Sequence, residues 1–181
     1  MVIIQYKFER EKDVKVSGSG VVGVEGVEKI VQEFGEEHKL DFRLTKTAHG
    51  KTYQTPDGRL QIVVEDLFSL SPAKIGLFDV VWDRASIIAI NVCDREKYAA
   101  VMMSLLEPEF RYLLVSLDYA PFPNFNGPPS SIPLSELTVL YGDKAECKLL
   151  ESHGGNDFQK LLPSGIEALA ERYVLMTPKK K

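Results

Sequence analysis

The stretch Gly76–Arg95, GLFDVVWDRASIIAINVCDR, decides how the rest of the chain is read. Its segment Phe78-Asp79-Val80-Val81-Trp82 is apolar but for one residue, follows Gly76, and ends at the paired opposite charges Asp83 and Arg84. A run of this kind marks a buried central strand of an α/β sheet, because parallel strands are covered on both faces. Ligands of open α/β sheets sit beyond the carboxyl ends of such strands. Asp83 and Arg84, placed in a loop before a helix over about Glu96–Leu106, are therefore the first candidates for chemistry.

Working outward, Val21–Glu25 reads as a strand ending in an acid, and Gly26 opens a helix to about His38. Val27, Ile30, Val31 and Phe34 recur at helical spacing and form its expected inner face. Lys39–Pro56 is polar and reads as irregular, and Pro56-Asp57-Gly58 as a turn. Leu60–Val64 is a second strand, delivering Glu65 and Asp66 to its carboxyl end, and Pro72 begins a helix or turn. Beyond the helix carrying Tyr98, Met102 and Leu105, Tyr112–Leu117 is a further buried strand. The Pro-, Asn- and Gly-rich loop Pro121–Pro133 beside that strand end is placed to cover a site. Ser135 caps a short helix to about Tyr141. Glu146–Glu151 and Ala170–Thr177 form an antiparallel edge hairpin with a long loop, His153–Ile166. In residues 1–20 Val2-Ile3-Ile4 is a candidate short strand, followed by a charged stretch from Phe8 to Val16. This alternation gives an α/β sheet, parallel in its first part.

A chain of 181 residues with 44% hydrophobic content suits a single domain over 1–181 with a sizeable core. Net charge −4 and a pI near 5.5 argue against a nucleic-acid surface, which is usually basic. The one basic run is the tail Lys179-Lys180-Lys181. Cys93 and Cys147 have no metal-ligand spacing and are expected reduced and mostly buried, as in a cytoplasmic protein. No segment approaches the roughly 20 apolar residues of a membrane span, and the start is too short for a signal peptide.

Acids follow three strands: Glu25, Asp66, and Asp83 with its neighbour Arg84. A carboxylate offers two acceptor oxygens to the two hydroxyls of a ribose, and an acid after the next strand can accept the amino hydrogen of adenine. The same acids serve equally as helix caps or solvated loop residues. Arg84 is either an ion-pair partner of Asp83 or a ligand clamp. The literal GxGxxG at Gly18, Gly20 and Gly23 opens no helix, and Ser17–Gly20 reads as a linker instead of a dinucleotide fingerprint. His38, His49 and His153 stand singly in polar surroundings, as surface residues do.

The segments VVGVE (21–25), IVQEF (30–34), IGLFDVVWDRASIIAIN (75–91), DREKYAAVMMSLL (94–106), FRYLLVSLDY (110–119), GPPSSIP (127–133) and RYVLMT (172–177) carry a more specific signal. Together they resemble the thiopurine S-methyltransferase family of class I S-adenosylmethionine-dependent methyltransferases. The resemblance implies a class I methyltransferase-like Rossmann sheet of seven strands, mostly parallel with an antiparallel C-terminal edge strand, and helices on both faces. It implies S-adenosyl-L-methionine as cosubstrate, no metal, and a small-molecule thiol acceptor bound by a monomer. Residue by residue it places Glu25 on the cofactor ribose, Asp66 and Leu67 around the adenine, and Arg84 near the methionine end and the acceptor. The loop bearing Pro128 would line the acceptor pocket. The family's first strand and its glycine-bearing turn are not recognisable in residues 1–20. Two rival readings are a non-catalytic homologue that binds a nucleoside or a protein, and a nicotinamide protein built on Gly18–Gly23.

Overall fold

The computed structural model describes residues 3–8, 19–47, 50–84, 86–154, 158–166 and 169–180. Val2, residues 9–18, His49 and Lys181, which enter the sequence reading, lie outside the described residues. The strands are β1 (Ile3–Phe8), β2 (Ser19–Glu25), β3 (Arg43–Thr47), β4 (Gly50–Gln54), β5 (Leu60–Val64), β6 (Phe78–Arg84), β7 (Leu106–Asp118), β8 (Ala145–Gly154) and β9 (Ala170–Pro178). The helices are α1 (Glu28–Glu37), α2 (Pro72–Ile75), α3 (Ser86–Ala89), α4 (Arg95–Ser104) and α5 (Leu134–Tyr141).

One 9-stranded sheet contains all of these strands in the order β3-β4-β5-β2-β1-β6-β7-β9-β8. The pairs β2–β5 and β6–β7 are parallel, and β2, β3, β5, β6, β7 and β8 point the same way. β1 lies between β2 and β6 and runs against both. Its register pairs Ile3 with Val24 and Phe8 with Ser19 on one side, and Ile4 with Trp82 on the other. The chain-final β9 is also reversed and is inserted between β7 and β8.

Side-chain alternation divides the sheet into two covered faces. Val22 and Val24 of β2 sit beside Gln61 and Val63 of β5, and both valines belong to the main core. Ile62 points the other way and packs with Val31 of α1 and Tyr53 of β4 in a second, smaller cluster. In the main core Val81, Tyr112, Leu114, Val174 and Met176 meet Tyr98 and Met102 of α4 and Leu137 and Tyr141 of α5. Helices thus lie on both faces, as expected from the sequence.

Several expectations are corrected. Lys39–Pro56 is no irregular stretch: it holds the hairpin β3–β4, which together with β1 brings the sheet to nine strands, not seven. Only β3 is at the sheet edge, and β4 buries the single side chain Tyr53 among Thr, Lys and Gln, so the hairpin shows no apolar alternation. The predicted inner face of α1 is narrower than four residues. Val27 is the residue before the first turn and is 53% exposed, Ile30 is 41% exposed, and Val31 with Gly35 faces the sheet. Gly35 is required there, because a Cβ would stand 2.8 Å from the Phe42 ring. Strand β6 continues through Asp83 and Arg84, strand β7 begins at Leu106, and α5 is preceded by Pro133 instead of a Ser135 cap. Cys93 is exposed in the turn between α3 and α4, and Cys147 is half-buried; both are unpaired thiols. Gly20 and Gly23 lie inside β2, so no βα turn of dinucleotide type forms there.

Leu114 is fully buried at the centre of the core, and Leu149 on the edge strand β8 is 38% exposed. Leu114→Ala should lower unfolding free energy by about 2–5 kcal/mol in urea titrations, through lost burial and the cavity left behind. Leu149→Ala should change it by less than about 1 kcal/mol.

Candidate functional site

At the carboxyl ends of β2 and β5 lies a cavity of about 360 Å³ lined by Val24, Glu25, Gly26, Val27, Glu65, Asp66 and Leu67. Parallel pairing creates it, because Glu25 is in register with Val64 and both chains then turn away from the sheet. Glu25 is 2% exposed, and its Oε1 accepts the Val27 N–H at 2.9 Å. Asp66 is exposed; its Oδ1 accepts the Phe68 N–H at 2.9 Å and caps a short 3-10 turn over Leu67–Ser69. Glu65 accepts from the Ser69 hydroxyl at 2.8 Å and forms an ion pair with Lys74 of α2 at 3.0 Å. The Ser69 hydroxyl and the Lys74 ammonium hold the Glu65 carboxyl below the usual carboxylate range. The cavity therefore presents carboxylate oxygens with a neighbouring apolar Leu67, a set suited to neutral hydroxyl and amino donors.

Three of the residues singled out in the sequence, Glu25, Asp66 and Leu67, are thus brought together. Arg84 stands apart at the exposed end of β6, with β1 between it and β2. Two strand spacings, roughly 10 Å, separate β2 from β6. Arg84 shares a cross-strand row with Val115 of β7 and Tyr173 of β9.

Asp83 is not a ligand-facing loop residue. It is fully buried, and its Oδ2 accepts the hydroxyls of Tyr98 at 2.5 Å and Tyr112 at 2.8 Å, while Oδ1 accepts the Ser86 N–H at 3.0 Å. Burial and then the Asp83 charge push the Tyr98 and Tyr112 hydroxyls well above the ordinary phenol range, so both remain donors. These donors satisfy the buried carboxylate, which ties the end of β6 to Ser86 at the start of α3.

Pro128 is exposed in the loop after β7, with cis bonds at Gly127-Pro128 and Pro128-Pro129. Tyr119 donates from its hydroxyl to the Pro129 carbonyl at 2.7 Å, and Ser130 donates its N–H to Ile88 and its hydroxyl to Asn126, both at 2.8 Å. Arg95, 3% exposed, closes the loop from outside: it donates to the Ser131 carbonyl at 3.0 Å and pairs with Glu136 of α5 at 2.6 Å. The sequence reading missed Arg95. A cation in the first turn of a helix opposes the helix dipole, and that conflict was the available signal that Arg95 has specific partners. His38 is exposed against Phe34, and His153 is exposed and paired with Glu151. Among the described residues no three of His, Cys, Asp and Glu gather to hold a metal ion, and no helix is long and apolar enough to cross a membrane.

An α/β sheet in this order, with acids after β2 and β5, defines a class I Rossmann-like methyltransferase fold. Solved structures agree on the fold: the [4+2]-cyclase SpnF at TM-score 0.56 and 11% identity, and the DhpI–SAH complex at TM-score 0.51 and 15% identity. Each alignment covers 88% of this chain and 66% of the other. The family model for thiopurine S-methyltransferase matches residues 15–179. Relatives include a probable thiopurine S-methyltransferase of Danio rerio, 36% identical over 165 residues, and the Rattus norvegicus thiopurine S-methyltransferase, 35% identical over 165 residues. The alignments span 90% of this chain and 70% and 68% of those proteins, respectively. The chain belongs to the thiopurine S-methyltransferase family.

Glu65 supplies a stability test. Its folded pKa is depressed, so its ion pair stabilises the fold above the unfolded value of about 4.3 and loses that contribution as pH falls through the folded value. The difference in urea midpoint between the wild type and Glu65→Gln should therefore be present at pH 7 and shrink steadily below about pH 4.3.

Proposed function

We propose that the chain is an S-methyltransferase that uses S-adenosyl-L-methionine to methylate the sulfur of aromatic or heterocyclic thiols, thiopurines included. The single observation that carries the reading is the joining of Glu25, Asp66 and Leu67 in one cavity at the ends of β2 and β5, in a chain of this family. In this reading Glu25 accepts from the ribose hydroxyls, and Asp66 with Leu67 holds the adenine. The cosubstrate supplies an already activated sulfonium methyl. An aromatic thiol is partly ionised near neutral pH, so the protein's main task is to hold the sulfur in line with that methyl. Arg84, the last residue of β6 and next to the buried Asp83, stabilises the thiolate electrostatically. The Pro128 loop, clamped by Arg95, forms the acceptor side and limits water.

The reading takes residues 1–181 as one unit and the protein as a cytoplasmic monomer acting on a small molecule without a metal. The unpaired thiols Cys93 and Cys147 and the net charge of −4 suit such a protein.

Two substitutions separate the roles. Glu25→Ala should weaken S-adenosylhomocysteine binding in isothermal titration by about tenfold or more, or about 1.4 kcal/mol. Arg84→Ala should lower kcat/KM for a heterocyclic thiol by roughly tenfold or more, most strongly at pH values where the acceptor is ionised. Binding unchanged by Glu25→Ala removes the assigned ribose role.

A further inference from the structure

The strand order ends at β8, ten residues reading AECKLLESHG beside β9. An edge strand turns a row of backbone N–H and C=O groups outward. Every side chain from Lys148 to His153 is exposed, Leu149 and Leu150 among them at 38% and 46%. Pairing with β9 is regular but for one step. Leu149 lies opposite Val174 and Glu151 opposite Tyr173, so Leu150 is an extra residue, a β-bulge.

The bulge decides which side chains share a face. Glu146 and Lys148 stand opposite Thr177 and Leu175 of β9, and Glu151 and His153 opposite Tyr173 and Glu171. Those β9 positions alternate along one face, so the four polar side chains of β8 share that face as well. Counted outward from the Leu149-Leu150 centre, Lys148 matches Glu151, Cys147 matches Ser152, and Glu146 matches His153. A two-fold axis normal to the sheet reverses strand direction and keeps each face. Placed at that centre, it sets the matched residues of two copies directly opposite one another. A regular strand could not do this, because odd and even positions point to opposite faces. The extra residue makes the faces agree.

We propose that β8 is a self-complementary docking edge for a second copy of this chain. The two β8 strands pair antiparallel, with Lys148 of each copy opposite Glu151 of the other, Glu146 opposite His153, and the leucines of both copies at the centre. A lysine and a bulge ordinarily blunt a sheet edge against an incoming strand. A second copy removes both obstacles, because it brings a glutamate opposite each lysine and a matching bulge opposite the bulge. One strand edge is a small interface, so association is weak and reversible. Strands β9, β7, β6 and β1 stand between β8 and the β2–β5 cavity. The single chain therefore remains the acting unit, each copy keeps its own cavity, and the inference is independent of what that cavity binds.

Sedimentation equilibrium of the full chain, from micromolar to near-millimolar concentration, tests this. The expected result is a reversible monomer–dimer equilibrium that Lys148→Glu weakens by about tenfold or more, since symmetry sets like charges opposite each other twice. The double variant Lys148→Glu with Glu151→Lys exchanges the members of each pair and should restore the dissociation constant to within about threefold of the wild type. Both positions are exposed, and the Glu151–His153 pair that the exchange removes is a surface pair, so the variants keep the cooperative urea unfolding of the wild type. A chain that stays monomeric at every concentration overturns the proposal. So does a dimer as tight in Lys148→Glu as in the wild type, or a double variant that associates no better than the single one.

Discussion

The sheet depends on the pairing of β1 with β2 on one side and β6 on the other. Without that strand the order β3-β4-β5-β2 and the order β6-β7-β9-β8 would be two separate sheets, each with an open edge. Buried backbone N–H and C=O groups need partners, and an unpaired edge in the middle of a core is costly. β1 meets that demand for both halves. Its reversed direction places Ile3, and not Phe8, beside the Glu25 end of β2.

A second constraint links the core to the site. Asp83 is a carboxylate in the fully buried layer between the sheet and α4, held by two tyrosine hydroxyls and one backbone N–H. A buried charge persists only where such donors converge, and truncating one partner leaves the others unsatisfied. The same side chain accepts the Ser86 N–H at the start of α3, and α3 in turn accepts the Ser130 N–H of the Pro128 loop through the Ile88 carbonyl. Packing of Tyr98 and Tyr112, the aim of Arg84 and the path of the loop are therefore parts of one hydrogen-bonded unit.

Much of this was legible in the sequence. Apolar runs gave β2, β5, β6 and β7, and acids at strand ends gave Glu25 and Asp66, which the fold brings into one cavity. The resemblance gave the family. What could not be read were features set by long-range partners. The hairpin β3–β4 has an outer strand at the sheet edge and buries only Tyr53 of its inner strand, so it lacks a strand's periodic signature. Asp83 looked like a ligand residue because sequence shows a charge after an apolar run, not the tyrosines that wait for it 15 and 29 positions later. Strand direction is equally invisible: Val2-Ile3-Ile4 reads as a candidate short strand, but no local pattern states that the strand runs on to Phe8, which neighbours it joins or which way it runs.

The direction of β1 is tested most directly by cross-strand disulfide trapping in a background with Cys93→Ser and Cys147→Ser. Antiparallel register places Ile3 opposite Val24 and Phe8 opposite Ser19. Paired cysteines must have Cα atoms within about 7 Å to join without backbone movement. The variant Ile3→Cys with Val24→Cys should therefore oxidise to an intramolecular disulfide, and Phe8→Cys with Val24→Cys should not. The reverse outcome, with only the second pair joining, would mean that β1 runs parallel to β2 and delivers its following loop to the ligand edge, contradicting the account.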